Sequence, residues 1–274
     1  MTLYWIYDLP NWLLGVLIVA FFLGFSLLGL FVTRPLVRRF LGPSPQFNDP
    51  ISYIFAGVGV FYGLAMGLIA VATWENFTGI DGQVSKEAAA LASLYRDLDG
   101  YPQPLRTRLE AKLRDYTRFI IEQDWPAHRR GETVDEGTFV LDRFENEAMA
   151  FEPTSEREKI SHTEVMHSLN TLVEQRDLRL QSVTAGLPAL IWYVVLIGAW
   201  LNIGLAYLFW VENRGLHAIL VGALAVFIAL LIYLTAAMDN PFRGEFSVSP
   251  DAYRMVLDKV MTQGGPEGRP TGGQ

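Results

Sequence analysis

Four long stretches without a single charged side chain constrain this chain more than any other feature. They run from Leu9 to Thr33, Ile51 to Trp74, Leu180 to Val211 and Gly215 to Met238. A hydrocarbon core of about 30 Å takes roughly 20 apolar residues of helix, so each stretch is long enough to cross a bilayer. Backbone polar groups find no water there, which demands helices; barrel strands would be shorter and would alternate. The expected fold is all-α, with four transmembrane helices and a helical extramembrane domain inserted between spans two and three. Composition agrees, since only 19% of residues are charged where soluble proteins carry about 25%. A soluble enzyme is excluded.

Charge is as uneven as hydropathy. Of the chain's 29 acidic and 22 basic residues, 21 and 14 lie between Glu75 and Arg179, so the net charge of -7 belongs to that segment. An acidic domain argues against nucleic acid as a partner, because phosphate backbones need a basic surface. There is no cysteine, which excludes disulfides and thiolate metal sites. No motif implies a metal or another cofactor.

The expected divisions are spans at 9–33 and 51–74, a helical domain over 75–180, spans at 187–211 and 216–238, a C-terminal segment over 239–262 and a disordered Gly/Pro-rich tail over 263–274. The first span has no Lys or Arg in the leader before it and is too long for a signal-peptide core, so it reads as a retained helix. Within the polar domain, Leu91, Leu94, Tyr95 and Leu98 recur at helical spacing up to a break at Asp99–Pro102. Leu105, Leu109, Leu113, Tyr116 and Ile120 mark a second helix, expected to stop near Trp125–Pro126. A third covers Glu136 to Ala150. Ser155 and Glu158 form a capping box that opens a fourth, with Val165, Leu169, Leu172, Val173 and Leu180 on one side. A short loop, Glu212 to Leu216, joins spans three and four as an antiparallel pair, and a brief helix is expected from Pro250 to Met261.

In span two, Gly59, Gly63 and Gly67 fall at i, i+4, i+8, a row of small residues that lets another helix approach closely. Phe61, Leu64, Ala65, Leu68 and Ala72 lie away from them and face either lipid or a pore. Trp74, Glu75 and Asn76 sit where this span ends, and Asp239 and Arg243 follow span four. Each group reads as interfacial anchoring or a docked turn, or as the charged mouth of an ion path. Arg176 and Arg179 either draw anions or neutralise Glu174 and Asp177. Catalysis has little support. The histidines are His128, His162, His167 and His217, and His162 and His167 stand about 140° apart on a helix, unlike the HExxH pair. Neither GxSxG nor a phosphate-binding glycine loop occurs.

The succession of WENF, KEAAALASLYRDL, EQDWPAHRRGE, LFWVENRGLHA and MDNPFRGEFSVSP resembles the bacterial bestrophin-like integral-membrane family over nearly the whole chain. Bestrophins are pentameric anion channels whose second membrane helix lines an apolar neck. The resemblance implies a homo-oligomeric ion channel in the bacterial inner membrane, permeable to small anions. Phe61, Leu64, Ala65 and Leu68 then become neck residues, with Trp74 and Glu75 at the polar end. The rival expectation is a non-conducting scaffold or sensor whose helical domain binds a partner protein. Orientation stays open. Arg34, Arg38 and Arg39 place the first loop in the cytoplasm, whereas bestrophins keep their termini there.

Overall fold

The computed structural model describes residues 9–41 and 45–262. The tail expected over 263–274 lies outside them. The described residues form helices throughout, without a strand. Nine α-helices follow one another: α1 Asn11–Leu41, α2 Asn48–Asp97, α3 Leu105–Phe119, α4 Trp125–Arg130, α5 Glu136–Met149, α6 Glu156–Ser182, α7 Ala189–Tyr207, α8 Arg214–Asp239 and α9 Asp251–Met255. Four of them (α1, α2, α7 and α8) are long and apolar enough to cross a membrane.

The chain divides into two compact units. The first contains residues 9–76, 186–240 and 244–246; the second contains 77–185, 241–243 and 247–262. In the first unit α1 lies along α8, and the small residues of that pair admit neighbouring side chains. A Cβ on Gly15 would stand 3.4 Å from the Tyr233 ring, and one on Gly222 would stand 3.2 Å from Leu23. Phe22 stacks on Trp200 of α7 at 5.2 Å. Tyr207 donates to the Ser26 carbonyl at 2.9 Å, crossing a position where anything larger than Gly29 would collide with its hydroxyl.

The second unit has its own core, built from Leu91, Leu94, Leu109, Leu113, Phe144 and Leu169 among others. Both halves of the capping box are present: Ser155 accepts from the Glu158 backbone N–H, and the Glu158 carboxylate accepts from the Ser155 N–H.

Several boundaries and one buried stripe differ from expectation. α2 does not end at Trp74 but continues unbroken to Asp97. The change from apolar to polar sequence alters the surroundings a helix suits, not its backbone preference. The second polar helix does not stop at Trp125–Pro126. It passes through a π turn at Ile120–Asp124 and continues as α4, with Pro126 in the first turn, where a missing N–H is tolerated. Gly131 ends it, at φ 75°. Its N–H reaches the His128 carbonyl and the Glu132 N–H reaches Ala127, the Schellman pattern. α7 stops at Tyr207, so the connection to α8 spans 208–213, with Asn213 accepting from the Leu216 N–H. The buried stripe of α6 carries Arg176 and Arg179 in its last turns, while Leu180 is half-buried.

Candidate functional site

α2 has a narrow packed face. Tyr62, Met66, Ile69 and Thr73 recur at helical spacing; Met66 and Thr73 are buried and the other two half-buried. The Tyr62 hydroxyl donates to the Val195 carbonyl of α7 at 3.3 Å. Its ring lies over Gly198, where a Cβ would come within 2.6 Å of it. Met66 packs in one cluster with Val195, Ala199 and Ile203.

Within the chain the glycine row is not what packs against α7. Gly59 approaches only Asn202, at 3.7 Å, and Gly63 and Gly67 meet nothing within 4 Å. Close approach needs a small residue on one partner and an area to bury on the other. Here α7 supplies the small residues, Gly198 and Ala199, and α2 supplies the large side chains.

The rest of the α2 surface is open. Phe61, Leu64 and Leu68 are 75%, 61% and 64% exposed, and Ala65 and Ala72 are exposed beside them. Phe61, Leu64 and Leu68 lie on the side opposite Met66, with Ala65 and Ala72 on the flank of that face. In its most apolar stretch α2 has 6% of residues buried, against 22% for α1, 28% for α7 and 39% for α8.

Trp74, Glu75 and Asn76 are exposed too, but in the middle of a continuous helix. Trp74 borders an apolar cleft of about 430 Å³ with Val71, Tyr233, Leu234 and Phe246. Asp239 and Arg243 have turned inward. Asp239 is buried and accepts from the Leu187 N–H at 2.6 Å and from Trp192 Nε1 at 3.3 Å, which fixes the start of α7. Arg243 is buried and donates to the Arg130 carbonyl, beside Gly131, where a Cβ would collide with the guanidinium. A selecting ring needs groups facing the ion path. Of the five mouth residues only Trp74, Glu75 and Asn76 keep that exposure.

The second unit holds a buried polar network that sequence spacing did not reveal. Arg179 is fully enclosed. Its Nε donates to Glu87 Oε2 at 2.7 Å, and its Nη2 donates to Glu87 Oε1 at 3.3 Å and to Asp124 Oδ2 at 3.2 Å. Its partners are therefore Glu87 and Asp124, not Glu174 and Asp177. Arg176 donates to Thr138 Oγ1 at 2.9 Å and lies 3.7 Å from Asp177.

Arg179 also donates to His128 Nε2. Guanidinium cannot accept, so His128 carries its proton on Nδ1 and donates it to the Glu132 carbonyl at 3.1 Å. Burial and the adjacent Arg179 cation hold the imidazole down to about 3. Burial pushes the Asp124 carboxyl up, against the pull of Arg179. The sequence signal was present but bland: Glu87 interrupts the stripe Ile80, Val84, Leu91, Leu94, so its carboxylate points into the core and requires a partner there. Among the described residues no three His, Asp or Glu side chains converge as metal ligands.

The sequence also matches a known family. The family model described as a bestrophin-like domain matches residues 20–253. This chain belongs to the bestrophin-like family. Its fold is similar to that of a bacterial bestrophin homologue from Klebsiella pneumoniae. Two crystal structures of point variants of that protein align at TM-scores of 0.69 and 0.66, with 13% and 12% identity, each covering 89% of this chain and 97% of that one. A third structure, a membrane protein, aligns at 0.64 with 13% identity over 87% of this chain and 97% of its own. Among curated proteins no match is found. At such identities the shared property is the bestrophin fold, and the residues of this bestrophin-like chain carry the remaining argument.

Proposed function

We propose that this membrane protein assembles into a homo-oligomer, a pentamer by family likeness, whose copies of α2 line a path for small anions through the bacterial inner membrane. One observation carries the reading: α2 is the least packed of the four spans, with Phe61, Leu64, Ala65, Leu68 and Ala72 outward along its length. A scaffold of single chains would bury its central span among its own helices. A helix that lines an axis keeps one face for the pore and its flanks for neighbouring copies.

The glycines fit that arrangement. Gly63 and Gly67 flank the packed face and leave room for a neighbouring copy's helix, so their close-approach role belongs between subunits. A four-helix bundle is filled by side chains and leaves no aqueous bore, so conduction requires several copies. No charge lies on α2 between Ser52 and Trp74. The lining is therefore an apolar constriction that gates by dewetting, with Glu75 the first carboxylate beyond it.

Shortening a neck side chain widens the constriction and lowers the wetting barrier. Leu68→Ala and Phe61→Ala are expected to raise chloride flux in reconstituted liposomes above that of the unaltered protein. No flux above empty liposomes from any of the three would remove conduction and leave the scaffold, with the second unit as its partner-binding part.

A further inference from the structure

All the cations of the first unit sit at one end of it. Residues 9–76 and 186–240 contain no lysine and four arginines: Arg34, Arg38 and Arg39 in the last turns of α1, and Arg214 at the start of α8. Contacts within the unit draw Arg34, Arg38 and Arg214 together, with Arg39 on the last turn of α1 beside them in sequence. Arg34 Nη2 donates to the Val211 and Glu212 carbonyls of the α7–α8 connection at 2.8 and 3.3 Å. Arg38 lies over the Trp210 ring, 4.7 Å from its centroid. Trp210 is in turn fixed by Asn48, which exchanges two hydrogen bonds with its backbone at 2.9 and 2.8 Å. Arg38 and Arg214 are both close enough to Arg34 to act on it electrostatically.

Among the described residues none of the four has a carboxylate within 4.0 Å, whereas eight arginines of the second unit do. Holding like charges together by backbone carbonyls and a ring, without neutralising them, is unfavourable unless an anion completes the site. The level in the membrane indicates which anion. At 1.5 Å per residue, the 31 residues of α1 extend about 46 Å, beyond a hydrocarbon core of about 30 Å. Its last two turns therefore reach the headgroups. There Leu36 and Phe40 are 56% and 78% exposed on the same turns as the arginines. Guanidinium groups beside exposed apolar side chains match a lipid phosphate above its acyl chains.

We infer that Arg34, Arg38, Arg39 and Arg214 form a site for the phosphate of an anionic phospholipid. Arg34 and Arg38 are positioned by the fold, and Arg39 and Arg214 are exposed and add charge. The inference does not depend on conduction.

The test measures binding of fluorescent phosphatidylglycerol to the full chain in mild detergent, with phosphatidylcholine or inorganic phosphate as competitor at matched ionic strength. Arg39→Gln with Arg214→Gln leaves the Arg34 and Arg38 contacts intact. At roughly 5-fold per arginine near a membrane surface, the pair should weaken phosphatidylglycerol binding about 30-fold. The double Lys variant should lose far less. Phosphatidylcholine and inorganic phosphate should displace the probe poorly. Equal displacement by phosphatidylcholine, efficient displacement by inorganic phosphate, or unchanged affinity in the double Gln variant would each overturn the site.

Discussion

Replacing Arg179 with methionine tests whether the core of the second unit depends on its buried charges. The substitution removes every donor that Arg179 supplies. Glu87 loses the bonds at 2.7 and 3.3 Å and keeps the Tyr116 hydroxyl at 3.3 Å. Asp124 loses its 3.2 Å donor, while its other oxygen is buried without a partner among the described residues. His128 Nε2 loses its donor as well. Two enclosed carboxylates then face each other with no cation between them. Breaking a buried pair by removing one member costs about 3–5 kcal/mol. For a chain of this size that corresponds to a fall in Tm of roughly 6–20 °C. Thermal unfolding of the full chain in mild detergent at neutral pH reads the change. Adding Glu87→Leu and Asp124→Leu to Arg179→Met should restore much of the loss, since no uncompensated charge remains. A fall of less than about 2 °C for Arg179→Met alone would show that water reaches the network, and would refute the argument from burial.

His128 gives the same network a pH signature. Its folded-state value near 3 lies below the usual 6.5, so the unfolded chain takes up the proton first. Stability is therefore lost as pH falls from about 6.5 toward 3, by up to about 1.4 kcal/mol per unit. His128→Gln, which can still accept from Arg179 and donate to Glu132, should flatten Tm against pH between 6.5 and 4.5 relative to the unaltered chain; parallel curves would contradict this. Met66→Ala should lower stability by about 2–5 kcal/mol, because Met66 is 1% exposed. Gly63→Leu, which meets nothing inside the chain, should leave monomer stability in harsh detergent unchanged and shift the mass of the assembled particle in mild detergent. The reverse pattern would mean that α2 packs through its glycines.

The four membrane helices were legible because the absence of charge over more than 20 residues has few other causes. The capping box at Ser155 was legible because its two side chains act on each other's backbone within one turn. The continuity of α2 through Glu75 was not, because a fall in hydrophobicity together with Asn76, Gly79 and Gly82 resembles an end although no proline occurs before Asp97. The packed face of α2 was not legible for a related reason. A glycine row shows where a helix can come close, but the row that is used, Gly198 and Ala199, lies on α7, and a single helix's sequence does not say which partner supplies the space. The Arg179 network joins residues from α2, α4, α6 and the π turn before α4. Each charge looks like surface until the fold places it on a core stripe, and only Glu87 among the stripe leucines gave notice of it.

The absence of native cysteine makes one measurement decisive for the central claim that α2 lines the axis of an assembly. Leu68→Cys introduces a single thiol on the exposed face opposite Met66. If copies of α2 surround the axis of an assembly, mild oxidation joins chains into covalent dimers through facing Leu68 positions. If the face meets lipid instead, no disulfide-linked dimer forms, which would contradict the pore and leave α2 as an outer helix of the bundle.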